Sequence, residues 1–264
     1  MPIPELVRHT VAVAKRPVLI TIPISHYCEK ARWALDRAGI AYQERAHLQV
    51  LHWIPVRRAG GNKTAPVLVW GDRAFADSAD ILEEAGAKAP PDRGLFPKDP
   101  AEAAEVRALQ SDFDTCLGPE GRRWMYNALR GRRDIAVEYG CTGVPAWQRR
   151  ALPFAYPVAA RIIDRYLDVT PATAARSEAI VRETFDAVAE RLGDGRPYLC
   201  GERFSAADLT FASLAAPMLM PPEYGVPLPQ PDRLPVAMAA TVRELREHPA
   251  GAHALRMFRE ERRG

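Results

Sequence analysis

Residues 17–35 read Pro-Val-Leu-Ile-Thr-Ile-Pro-Ile-Ser-His-Tyr-Cys-Glu-Lys-Ala-Arg-Trp-Ala-Leu, and two periodicities meet inside them. Val18 to Ile24 is an apolar run rich in β-branched residues, as in a buried strand. From His26 the pattern turns helical: Ala31, Ala34 and Leu35 share one face and charges occupy the other. Ser25 stands at the handover, and Ser is a preferred N-cap because its hydroxyl accepts from a first-turn N–H. The first N–H groups of a helix have no partner within it, and its dipole is positive there. The junction therefore favours a bound anion, a thiolate included. Cys28 follows one turn later, so thiol chemistry is the function class this stretch suggests.

The 264 residues suffice for one large domain or two ordinary ones, and a hydrophobic share of 47% suffices for a packed core. The net charge of +3 is small. Arg122-Arg123 and Arg130 to Arg133 cluster, but Asp134 and Glu138 follow at once, which describes a solvated helix face better than a nucleic-acid surface. Cys28, Cys116, Cys141 and Cys200 are widely spaced and show no CxxC or Cys/His metal pattern. Reduced thiols, a cytoplasmic location and no metal are expected. Met1 to Arg16 lacks a signal pattern. Leu209 to Met220 is too short for a membrane span and contains Pro217, so no membrane partner is expected.

Along the chain the expected order is an extension over 1–16, a strand at Val18–Ile24, a helix at His26–Ala38 and a strand near Ala41–His47. An irregular or helical piece around Trp53 and Pro55 follows. Val67–Trp70 and Arg73–Ala76 then form a hairpin about Gly71-Asp72, and Asp77-Ser78 opens another helix. Residues 87–100 carry four prolines and read as a linker between a domain over 17–86 and a second over 101–264. The second is helical throughout. Ala101–Ala128 is interrupted at Gly118-Pro119-Glu120-Gly121, and Ala146–Leu167 is interrupted by Pro153 and Pro157. Further helices are expected at Ser177–Leu192, after Ser205, at Pro235–Glu247 and at Gly251–Arg262. Ser205 with Asp208 reads as a capping box.

Four segments resemble cytosolic glutathione transferases, in order and over nearly the whole chain. Ser25-His26-Tyr27-Cys28 resembles the active-site segment of the serine and cysteine classes. Thr64-Ala65-Pro66-Val67 resembles the cis-proline segment, and Ala76-Asp77-Ser78 the acidic-Ser motif. Tyr198-Leu199-Cys200-Gly201 through Asp208 resembles the capping segment of the helical domain. The resemblance implies an α/β thioredoxin-like N-terminal domain followed by an all-α helical bundle, and a homodimer.

It also implies roles. Ser25 would orient its hydroxyl on the sulfur of glutathione, favouring a thiolate over a thiol whose ordinary pKa is about 8.5; from the residue alone, Ser25 reads as a cap. Cys28 is either a buried structural thiol or the redox group of a mixed disulfide. Pro66 would be cis and would expose the Ala65 backbone to the cysteinyl part of glutathione; a trans proline opening a strand is the alternative. Ser78 and Asp77 suit the γ-glutamyl carboxylate and ammonium, though capping alone explains the pair. Lys63 could meet the glycyl carboxylate or stand in solvent. For the electrophile, Tyr27, Phe113, Cys116, Trp124, Tyr126 and Asn127 are candidate contacts, any of which could instead be core.

Three functions are thus open: conjugation of the glutathione thiolate to a small, apolar electrophile; glutathione-dependent thiol–disulfide exchange through Cys28; or a non-catalytic binding protein on the same fold.

Overall fold

The computed structural model describes residues 16–262, so the extension expected over residues 1–16 lies almost wholly outside them. The first half forms β1 (Val18–Thr21), α1 (His26–Arg37), β2 (Gln43–Ala46), α2 (Trp53–Arg58), β3 (Val67–Trp70), β4 (Arg73–Phe75) and α3 (Ser78–Lys88). The sheet order is β2-β1-β3-β4. β1 runs parallel to β2, with Val18 opposite Gln43, and antiparallel to β3, with Leu19 opposite Leu68.

Side chains on a strand alternate between faces, and here each face meets a different partner. Leu19 and Leu68 join Ala31, Trp33, Ala34 and Leu35 of α1 and Ile81, Leu82 and Ala85 of α3 in one core. Ile20 and Val67 face the other way and cover Val56 of α2. The piece around Trp53, open in sequence between irregular and helical, is this short helix.

The second half is helical: α4 (Pro100–Asp112), α5 (Gly118–Ala128), α6 (Arg133–Tyr139), α7 (Ala146–Tyr166), α8 (Pro171–Arg191), α9 (Ala206–Leu219), α10 (Val236–Glu247) and α11 (Pro249–Glu261). α9 is buried along its whole length, as its lack of a polar face requires. The Asp208 carboxylate accepts from the N–H groups of Ser205 at 3.0 Å and Leu199 at 2.8 Å, closing the helix start.

Three helical details depart from expectation. α7 is one helix of 21 residues despite Pro153 and Pro157. Only Gln148 of it is buried, so water can take the carbonyls the prolines leave unpaired. α8 starts at Pro171, well before Ser177, because Thr170 and Thr173 form a capping box and proline suits the first helical position. Finally, α4 does not break before α5. Residues Phe113–Leu117 form a π turn joining them. Pro119 has no N–H for the Thr115 carbonyl and its ring crowds it, and a wider turn accommodates both. Among the described residues no helix is long and apolar enough to cross a membrane.

The far end of the chain clasps α1. Glu261 receives hydrogen bonds from Trp33 Nε1 (3.1 Å, on its carbonyl) and Arg37 (2.8 Å, on its carboxylate). Arg262 Nε donates to the fully buried Glu29 at 2.6 Å.

Candidate active site

A cleft of about 350 Å³ opens where β1 ends, between the sheet domain and α5 and α7. Ser25 lies on its wall and caps α1, with its backbone extended and its hydroxyl accepting from the Cys28 N–H at 3.4 Å. An accepted bond leaves the hydroxyl proton free to donate to a ligand.

The first turn of α1 is bolted to the π turn. Tyr27 donates its hydroxyl proton to the Asp114 carbonyl at 2.7 Å, a group that the wide turn releases from the helix ladder. His26 Nε2–H donates to the Gly118 carbonyl at 3.1 Å, and Lys30 reaches the Asp114 carboxylate at 2.6 Å. Burial, helped by the nearby Arg122 charge, lowers the His26 pKa to about 3, so the ring is neutral. Burial likewise pushes Tyr27 up, and carries Tyr126 up to about 12. His26, neutral, and Tyr27, protonated, thus hold α1 in place without exchanging protons at neutral pH.

The opposite wall comes from the sheet. The Ala65-Pro66 bond is cis, and both residues line the cleft. Asp77 caps α3 by accepting from the Ala79 N–H at 2.8 Å, and Ser78 is the first helical residue. The α3 N-terminus thus presents N–H groups to the same space as the α1 N-terminus. Lys63 closes the rim, its ammonium 5.5 Å from the centre of the Trp53 ring. Its carbonyl accepts from His52 Nε2 at 2.9 Å, and burial keeps that ring neutral by lowering its pKa.

Ser25, Tyr27, Lys63, Ala65, Pro66, Asp77 and Ser78 therefore share one cleft. Cys28 does not reach it. Its side chain is fully buried, its sulfur accepts from the Ile22 N–H at 3.4 Å, and burial pushes the thiol above its ordinary pKa. Cys28, a catalytic candidate in sequence, is thus placed outside the cleft, with its sulfur turned to the Ile22 N–H.

The α4–α5 wall also differs from the sequence expectation. Phe113 packs into the core with its ring centre 5.2 Å from that of Phe211. Trp124 is buried and donates Nε1–H to Glu178 at 3.2 Å. Cys116 is exposed, and neither it nor Asn127 lines the cleft. Asp114, Thr115, Arg122, Met125 and Tyr126 line it instead. An extra residue in the π turn rotates everything after it, so a regular period assigns the wrong face. Tyr126, reached by that same turn, was a sequence candidate; Arg122 was legible only as half of a basic pair.

A second cavity of about 160 Å³, lined mostly by apolar groups, adjoins the cleft. Ile22, Ile24, Gln49, Met125, Tyr126 and Ile163 line both, and Tyr126 donates its hydroxyl proton to Gln49 in this shared wall. A chamber with two helix N-termini thus abuts a more apolar one.

This is a thioredoxin-like sheet domain with a ligand-sized cleft facing an all-helical domain. Comparison with known proteins agrees. The glutathione S-transferase N-terminal domain model matches residues 19–93, and the glutathione S-transferase C-terminal domain model matches residues 171–239. Together they take in more than half of the chain, which belongs to the glutathione S-transferase family. Among solved structures, a theta class glutathione S-transferase from Xanthomonas axonopodis pv. citri with glutathione bound is 19% identical. The match covers 90% of this chain and 96% of that one, with a TM-score of 0.53. A glutathione S-transferase from Sinorhizobium meliloti 1021 is 18% identical over 93% of this chain and 99% of that one, TM-score 0.55. One from Xanthobacter autotrophicus Py2 is 15% identical over 92% and 93%, TM-score 0.56. These likenesses show the fold. Comparison with curated proteins finds no match.

Proposed function

We infer that this protein conjugates the thiolate of glutathione to a small, apolar electrophile. The observation that carries the reading is one cleft holding the Ser25 hydroxyl, the Ala65 backbone, the α3 N-terminus at Ser78 and the Lys63 ammonium, with an apolar chamber alongside. The glutathione-bound structural neighbour supports the same ligand here.

Each group has a chemical assignment. The γ-glutamyl carboxylate takes the free N–H groups at the start of α3, and the Asp77 carboxylate is placed for the ammonium. The Ala65 backbone pairs with the cysteinyl unit as an added strand does. Lys63 takes the glycyl carboxylate as a point charge. The thiol proton leaves to solvent, and the sulfur anion left behind accepts the Ser25 hydroxyl proton in a charge-assisted hydrogen bond. That sulfur then forms a bond to the electrophilic carbon held in the apolar chamber, and the leaving group departs with the bonding pair. The protein supplies orientation and anion stabilisation, and glutathione supplies the nucleophile. Family membership supports action as a cytoplasmic homodimer that clears electrophiles.

Burial of Cys28 disfavours the disulfide-exchange alternative. The deciding experiment measures glutathione binding by calorimetry and conjugation to a general aryl halide for the wild type, Ser25→Ala and Cys28→Ala. Removing one aimed hydroxyl donor should lower kcat by roughly a hundredfold, whereas Cys28→Ala should leave it unchanged. Undiminished turnover in Ser25→Ala would overturn the role of Ser25, and a glutathione-dependent disulfide reduction that Cys28→Ala abolishes would restore the redox reading.

A further inference from the structure

Arg122 is the one charged group of the cleft wall that the preceding assignments leave without a task. It lies on α5 one turn beyond Gly118, the residue that His26 touches, so its guanidinium stands beside the first turn of α1. Its charge is felt at His26, Tyr27 and Tyr126. Among the described residues it has neither a salt bridge nor a hydrogen bond, although its neighbour Arg123 is paired with Glu120. Its Nε is buried with no acceptor. That Nε is closed off from the cleft, whereas the terminal guanidinium nitrogens are neither buried nor paired among the described residues, so these are the donors an anion in the cleft would meet.

None of the other charged groups around the cleft is paired with it among the described residues. From α1, His26 is neutral and Lys30 is committed to Asp114 of the π turn. From the start of α3, Asp77 accepts from the Ala79 N–H and forms no ion pair within 4.0 Å among the described residues. Lys63, before β3, lies over Trp53, and His52, just before α2, is neutral. Tyr27, Tyr126 of α5 and Tyr166 of α7 complete the titratable lining. The two carboxylates of glutathione already have donors on the sheet side, at Ser78 and Lys63. The anion still to be matched on the α1–α5 side is the sulfur.

We propose that Arg122 is an electrostatic partner of the glutathione thiolate, adding a full positive charge to the Ser25 hydroxyl and the α1 N-terminus. The inference rests on the glutathione reading above and deepens it. A cation close to a thiol favours the charged form and so lowers its pKa; the proton goes to solvent, and no other co-reactant is needed. Arg122 also sits one helical turn before Met125 and Tyr126, the wall shared with the apolar chamber, so its charge belongs to the part of the cleft that borders that chamber.

The test titrates the ultraviolet absorbance of the thiolate in the glutathione complex against pH for the wild type, Arg122→Gln and Arg122→Lys, with affinity followed by calorimetry. Arg122→Gln should raise the pKa of the bound thiol by about one pH unit or more, and Arg122→Lys should recover most of the shift. The lysine arm separates charge from shape. An unmoved pKa in Arg122→Gln with glutathione still bound would overturn this inference alone. If the electrophile KM then rises while the thiol pKa stays fixed, Arg122 serves the second substrate instead. Failure of the wild type to take up glutathione would remove the underlying reading and this one with it.

Discussion

Gly118 lies against the Tyr27 ring where α5 meets α1, and replacing it by alanine tests the geometry described above. A Cβ built there lies 2.2 Å from the Tyr27 hydroxyl oxygen and 2.6 Å from its Cζ, inside the 3.0 Å limit for real Cβ contacts. The Tyr27 ring must move, and its 2.7 Å bond to the Asp114 carbonyl goes with it. Losing that bond and leaving the carbonyl unpaired costs about 1–3 kcal/mol. Forcing a methyl group into a packed contact costs about 1–3 kcal/mol more. Against this, alanine is favoured over glycine in a helix by about 1 kcal/mol. The net is a loss of about 3 kcal/mol. With a urea slope near the upper end for small proteins, the midpoint should fall by about 1 M. Denaturation followed by tryptophan fluorescence and by circular dichroism reads this. In a Tyr27→Ala background the clash is gone, so Gly118→Ala should become neutral or mildly stabilising. An unchanged midpoint for Gly118→Ala alone, or an equal loss in both backgrounds, would refute the reasoning.

The remaining expectations concern acid and the chain's end. The folded state holds His26 at a pKa of about 3 against 6.5 for the free side chain, so between these values the unfolded state binds more protons. Stability should therefore fall as pH drops below 6.5, by at most about 1.4 kcal/mol per pH unit from this group. His26→Gln should flatten that limb of the stability–pH curve, and a limb of equal steepness in the variant would remove the assignment. Arg262→Ala should cost about 2–3 kcal/mol, because the Glu29 carboxylate is fully buried and keeps only Arg32 at 3.3 Å and the Gly225 N–H at 3.1 Å. Adding Glu29→Gln should recover part of the loss, and thermal denaturation of the single and double variants checks both.

How much was legible in sequence depended on whether the signal was local. The β1–α1 junction was readable because strand and helix periods change at one residue, Ser25, that also caps. The same holds for Asp77 at the start of α3 and for Ser205 with Asp208 at the start of α9: capping chemistry operates over three residues, and sequence shows three residues well. α7 was obscured because proline counts as a helix breaker only where the carbonyl it abandons cannot find water. On a helix with almost every side chain accessible that condition fails.

The cleft divides along the same line. Residues on the sheet side are set by a cap, a strand end and a cis bond, the first two visible in their own segments and the third implied by the family resemblance. Residues on the helical side depend on the phase of α5, and that phase is set by a π turn, which no regular period anticipates. Trp124 consequently faces the core, as does Phe113 at the head of the turn, while Arg122 and Met125 face the cleft. The turn does more than shift the register. It releases the Asp114 carbonyl for Tyr27, places Gly118 where only hydrogen fits beneath that ring, and sets Arg122 one turn on in the wall of the cleft that Ser25 also lines. A proline at position 119 thus links the docking of the two domains to the placement of a charge at the proposed sulfur site. Disturbing the turn should therefore alter stability and thiol ionisation together, whereas Arg122→Gln should alter ionisation alone.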